Sequence, residues 1–336
     1  MDKQEYIQSL RDKLKAQIEK NEKGFADFRK AVTESDLKAA LKDLPYLTEE
    51  GDVAKAMDII RDKNADASLR ALALLKVSNA KVNDPDFIET NIRLLEDPNN
   101  DEKVRLTSFN LLSNLSFSSK QMAASKAAFV STLRKVVEDP VVSLREMATE
   151  VLAVNKDESI QQRLVDDIKA NRSTLVPRLK AIQLLRYDIH GNHYPVVKDI
   201  LLSRDATEPE KVAAVHVLAN DPSAKDLLVD ILKDKQQLKK VRVATVSALQ
   251  AINPEAFVSA AKQIVLDDKE DKSLRAVTLN GIMLHADSDM MKGDTDFIKH
   301  VDKIKAQSLS PALKKVARNY MEKVDKGKKK DNKHKQ

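Results

Sequence analysis

The side chains able to do chemistry are few and scattered. The 336-residue chain has no Cys, which removes thiol nucleophiles, thiolate metal sites and disulfides together. Its six histidines are His190, His193, His216, His285, His300 and His334. His190 and His193 share the stretch "YDIHGNHYP", where a metal site would need further ligands that the spacing does not supply. They read as polar loop residues, and no metal and no cofactor are expected. There is no phosphate-binding glycine loop, GxSxG elbow or HExxH pair,. No catalytic residue is assigned, and the balance favours a non-enzymatic protein.

What does recur is a basic residue inside apolar surroundings, as in "SLREMATEVLAV" (143–154), "KVRLTSFNLLSNL" and "KVRVATVSALQAI". The basic positions are Arg70, Arg105, Arg145, Arg178, Lys211, Arg242, Arg275 and Lys314, at intervals of 35, 40, 33, 33, 31, 33 and 39 residues. Three residues later stand Ala73, Ser108, Ala148, Ala181, Ala214, Thr245, Thr278 and Ala317, all small. Seven residues later stand Val77, Leu112, Leu152, Leu185, Leu218, Leu249, Ile282 and Met321, all apolar. At 100° per residue these columns form one arc centred near the basic residue. The small residue admits a close neighbouring helix, and the large one fills the space beyond.

The elements that must position this arc are paired helices. An earlier helix is visible in "FIETNIRLLEDP" (87–98), "FVSTLRKVVEDP" (129–140), "YPVVKDILLSRD", "DLLVDILKDK", "FVSAAKQIVLDD" and "FIKHVDKIKAQ". Asp-Pro at 97–98 and 139–140 interrupts a helix, because proline cannot continue it,. "NDP" at 83–85 and 220–222, and "NP" at 253–254, place a capping side chain or proline at helix starts,. Gly is only 6 and Pro 10, so an all-α chain of repeated helix pairs is expected.

On these residues the chain resembles HEAT-repeat proteins over roughly 49–325. The resemblance implies a right-handed α-solenoid of about eight HEAT-like helix pairs, with a turn Asp-Pro and an Arg early in the second helix. It also implies a ladder in which turn Asp and helix Arg bond across stacked units. Asp97, Arg105, Asp139, Arg145, Arg178, Arg242 and Arg275 are its expected members. Lys211 and Lys314 depart from Arg, and the fourth unit lacks an Asp-Pro turn, so imperfect stacking is expected there. Arg318 and Lys315 give the eighth unit a polar outer face, as the end of a stack requires,.

Three segments follow: an N-terminal helical cap at 1–48, the repeat array at 49–325 and a basic disordered tail at 326–336. Residues 2–20 form an amphipathic helix with Tyr6, Ile7, Leu10, Leu14 and Ile18 on one face, expected to cover the first unit; a partner-binding or self-association helix is the alternative,. Of the formal net charge of +6, the last 15 residues carry +4, from seven Lys against Glu322, Asp325 and Asp331. The body is therefore nearly neutral.

Five residues past each basic position come Asn110, Glu150, Gln183, His216, Ser247, Asn280 and Asn319, with Leu75 the one apolar member. In the resembled architecture second helices line the concave surface. Asn110, Glu150, Gln183, His216, Ser247 and Asn280 are thus the candidate partner-binding row. The row is not basic, whereas a groove tracking phosphates presents several Lys or Arg. The expected function is a protein–protein interaction scaffold binding its partner along that groove.

The alternative is a nucleic-acid-binding HEAT-like protein, extending to an alkylpurine-type DNA glycosylase, with Glu150 and Tyr187 as carboxylate and aromatic and Lys180 and Arg186 on phosphates. Two other classes gain no residue signature: no His is followed by Glu, as metal-dependent HEAT-like hydroxylases require, and nothing marks a bilin lyase. "MDKQEYIQSLRDKLK" has no apolar stretch of leader length, and no run of about 18 apolar residues exists,. A cytoplasmic chain without a membrane span is expected, save for any segment trimmed ahead of Met1. Oligomeric state is left open.

Overall fold

The computed structural model describes all residues except 1, 2, 119, 189, 190, 286–293 and 334–336. Among the described residues it is all-α, with 18 helices and no strand. Among the described residues no helix is long and apolar enough to cross a membrane. The chain divides into two compact units, Met1–Leu152 and Ala153–Gln336.

The first unit holds α1 (Lys3–Lys30), α2 (Glu34–Asp43), α3 (Glu50–Arg61), α4 (Ala67–Lys81), α5 (Pro85–Glu96), α6 (Glu102–Ser118) and α7 (Lys120–Val136). Helix α8 (Val142–Val154) runs across the division. The second unit holds α9 (Glu158–Lys169), α10 (Arg178–Leu184), α11 (Tyr194–Leu202), α12 (Glu208–Leu218) and α13 (Lys225–Lys233). It continues through α14 (Lys239–Ile252), α15 (Pro254–Leu266), α16 (Lys272–His285), α17 (Thr295–Gln307) and α18 (Pro311–Lys333).

Helices start where side chains can satisfy their orphan N–H groups. Asp66, Asp84, Asp157, Asn253 and Asp294 each accept a backbone N–H from the first turn. Thr207 and Glu210 complete a reciprocal capping box on α12,. Within each unit packing is from neighbour to neighbour. Helices α2, α4 and α6 touch in sequence in the first, as do α10, α12, α14, α16 and α18 in the second. Alongside them run α5 with α7, and α13 with α15 and then α17. Phe87, Phe257 and Phe297 are buried between such helices, each contributing roughly 1.5–3 kcal/mol by leaving water.

The small and large columns sit where that packing is tightest. All eight small residues from Ala73 to Ala317 are buried, and so are seven of the eight large ones. The exception, Met321, is half-buried, and fully buried Tyr320 fills the terminal position beside it. Closest of all is Gly281 on α16, where a Cβ would lie 2.2 Å from Gln250 Nε2 and 2.5 Å from Phe257 Cζ.

Both termini are helical. Helix α1 is continuous from Lys3 to Lys30, and its stripe of Tyr6, Ile7, Leu10, Leu14 and Ile18 is exposed. Its C-terminal end packs inward, through Phe28 and half-buried Phe25. At the other end the helix runs on to Lys333, into the stretch expected to be disordered. Lys is a good helix former, and the one glycine there costs only about 1 kcal/mol.

Candidate functional site

The buried arginines explain themselves through the helix that precedes them. A helix C-terminus leaves its last carbonyls without intrahelical partners and carries partial negative charge. Arg70, Arg105, Arg242 and Arg275 each donate from Nε to the carbonyl ten residues earlier: Ile60 at 3.1 Å, Leu95 at 3.0 Å, Leu232 at 2.9 Å and Val265 at 3.1 Å. Each acceptor is the penultimate residue of its first helix. The guanidinium thus ties together the two helices of one pair before it reaches any neighbour.

The Nη groups then reach the next turn. Arg242 grips Glu270 with both, at 2.9 and 2.6 Å. The Arg105 Nη2 bonds Asp139, and Arg70 reaches Asn100 at 3.2 Å. Arg178 lies 3.5 Å from Glu210 and donates to Asn171 in its own turn at 2.7 Å. Arg145 instead donates to the Asp139 carbonyl of its own turn at 2.8 Å. Arg275 bonds Asp268 of its own turn at 2.9 Å, with His300 Nε2 at 3.2 Å. Asp97 does not join Arg70; it caps Asn99 and pairs with Lys63 at 3.0 Å. Among the described residues Lys211 and Lys314 form no rung.

These bonds set the titration of the acids involved. The Arg242 guanidinium holds Glu270 below the usual range against the opposing effect of burial. For Asp139 burial pushes upward, but Arg105, the Val141 amide and Arg145 outweigh it and the net shift is downward. Asp271 reaches about 2: burial opposes, while the Ser273 hydroxyl, the Leu274 amide and Lys239 prevail.

A second set of ties spans roughly one repeat on the outside. Lys63 pairs with Asp97, Lys235 with Asp267, Lys239 with Asp271, Lys240 with Glu208 and Lys262 with Asp294. The fourth turn, lacking Asp-Pro, is built differently. Asn171 takes a left-handed φ of 52° and Asp167 accepts the Thr174 and Leu175 amides.

The candidate row is exposed at every position. Asn110 lies on α6, Glu150 on α8, Gln183 on α10, His216 on α12, Ser247 on α14 and Asn280 on α16. In the second unit, Gln183, His216, Ser247 and Asn280 occupy four successive helices, each packed on the next. In the first unit Leu75 is exposed and lines, with Tyr46, Leu72, Leu111 and Leu115, an apolar recess of about 620 Å³. Of the residues tied to the glycosylase alternative, Glu150 is exposed and Tyr187 half-buried, with the Arg186 guanidinium 5.5 Å from its ring centroid.

His193 lies in the turn that precedes α11. It is buried, 2.8 Å from Asp188 through Nδ1, with its ring against Tyr194. His190 lies outside the described residues. Among the described residues no three His, Asp or Glu side chains gather as a metal site. Compared with family models and with curated proteins, the chain matches none.

Sequence reading missed two columns. Asp66, Asp101, Thr207, Asp271 and Ser310 stand four residues before the basic position, and each accepts a backbone N–H at the second-helix start. Asn100 and Glu270, five residues before, receive the previous arginine. Both were readable by extending the alignment upstream.

Proposed function

We propose that the chain is a right-handed α-solenoid of about eight HEAT-like helix pairs, acting as a non-enzymatic scaffold that binds a protein partner along its second-helix face. The rungs from Nε to a penultimate carbonyl, and lysine–carboxylate ties about 32 residues apart, support a stack of like units,. One observation carries the binding reading. Gln183, His216, Ser247 and Asn280 present one exposed, hydrogen-bonding side chain apiece from four successive packed helices. Such a row suits the backbone and polar side chains of an extended segment, and it lacks the Lys and Arg that phosphates demand.

A photocrosslinking residue at Ser247, compared with one at exposed Glu255 on the first-helix side, tests this directly. The Ser247 position should capture a protein that the Glu255 position does not. Replacing Gln183, His216, Ser247 and Asn280 together by Arg should abolish that capture with the melting temperature unchanged. Recovery of nucleic acid alone, or capture indifferent to the four replacements, would sink the reading.

A further inference from the structure

Four side-chain cations face one recess in the first unit. It is about 760 Å³, lined by Arg61, Lys63, Arg70 and Arg93 with Thr90 and Asn100, over Ile60 and Leu94. Glu96 and Asp97 are its two acids. Both are already engaged, Glu96 with Thr132 and Lys135 and Asp97 with Lys63. The lining therefore nets +2.

The centre of the recess is Arg70, only 3% exposed. Its Nε is used by the Ile60 carbonyl and its Nη2 by the Asn100 side chain. Among the described residues no carboxylate pairs with it; Asp62, Asp97 and Asp101 act on it only through space. The comparison with Arg242 is close. Asn100 and Glu270 hold the same place in their turns, each amide donating at 3.1 Å to the carbonyl three residues back, of Asp97 and Asp267. Where Glu270 offers two carboxylate oxygens to both Nη groups of Arg242, Asn100 offers one neutral oxygen. Among the described residues no protein group accepts from Nη1 of Arg70, which leaves that nitrogen for a ligand in the recess that Arg70 lines.

We infer that this recess is an anion site for a phosphate group, in which the ligand's oxygens complete the rung that Asn100 leaves open. The planar fork of Arg70 suits two phosphate oxygens. Arg61 and Arg93, loosely paired at 3.8 and 3.9 Å with Asp58 and Glu89, close on it from the rim. The phosphate is either free or on a phosphorylated side chain.

Isothermal titration calorimetry on the full chain at fixed ionic strength tests this with inorganic phosphate and with a phosphoserine tripeptide. At least one should bind, and the tighter of the two assigns the source. Arg93→Gln should weaken binding about tenfold, the loss of one charge-assisted contact, without moving the melting temperature. Asn100→Glu should supply the missing carboxylate from within, raising the melting temperature and abolishing binding. No heat with either probe overturns the assignment. So does binding by Asn100→Glu equal to wild type, or equal binding of acetate.

Discussion

Arg242 and Arg145 occupy the same place, the fourth residue of a second helix, yet they are held differently. Arg242 is buried, takes the Leu232 carbonyl and closes a two-pronged bond on Glu270. Arg145 is half-buried, bonds back to Asp139 O, and its Nε has no partner. The cause lies in how the preceding helix ends. After α13 only the Asp234 amide folds back, to Asp230, leaving Leu232 O for the arginine. After α7 the amides of Val137, Glu138 and Asp139 take the carbonyls of Leu133, Lys135 and Val136. Lys135 O, ten residues before Arg145, thus accepts the Glu138 amide in place of the arginine. The identity of a residue sets what it can bond; the winding of the turn before it sets what is left to bond.

The sharpest way to break the contrast is Glu270→Ala, which strands a buried guanidinium. It should cost about 3 kcal/mol, measured as a fall in the midpoint of urea unfolding. Next comes Gly281→Ala, whose methyl group meets Gln250 and Phe257 and pushes α16 from α14 and α15. A loss of about 1–3 kcal/mol is expected, together with weakened Arg242–Glu270 pairing; an unchanged midpoint would show that the helices part freely there. Arg145→Leu should lose less than about 1 kcal/mol, because it surrenders one carbonyl bond and removes an unmet donor. A fall as large as that of Glu270→Ala would erase the distinction.

The smallest effect is in acid. Glu270 lies below its ordinary 4.5 in the folded chain, so its contribution is complete above that pH and fades as pH drops through its folded value. Glu270→Gln should therefore flatten the acid limb of a stability–pH profile, whereas Arg145→Leu should leave most of it.

The sequence carried the helix pairs well because their signal is local. A small residue at three and a large one at seven places past Arg242 or Arg275 face one way on any helix, and these are buried throughout. At α1 the same periodicity puts Leu10 and Leu14 on one face, and that face is exposed: an apolar stripe defines a side, not what covers it. The rungs were half legible. Arg105 and Asp139 were marked as partners of the right type, but the primary acceptor, a carbonyl at the end of the first helix, has no residue identity to read. Asn100 stood in a column that the alignment did not extend to, and its partner is an arginine 30 residues upstream. For the exposed row, alternation told which residues face outward, and nothing in one chain names what they would touch.

The lysine–carboxylate ties have a bearing on how such a chain can lengthen. Lys235 to Asp267, Lys239 to Asp271 and Lys262 to Asp294 each span 32 residues. None depends on how many helix pairs precede or follow. Duplicating a block of that length would present each of these lysines with an equivalent acid, so modular growth by tandem copying leaves the stitching intact, where insertion into a shared globular core would tear it.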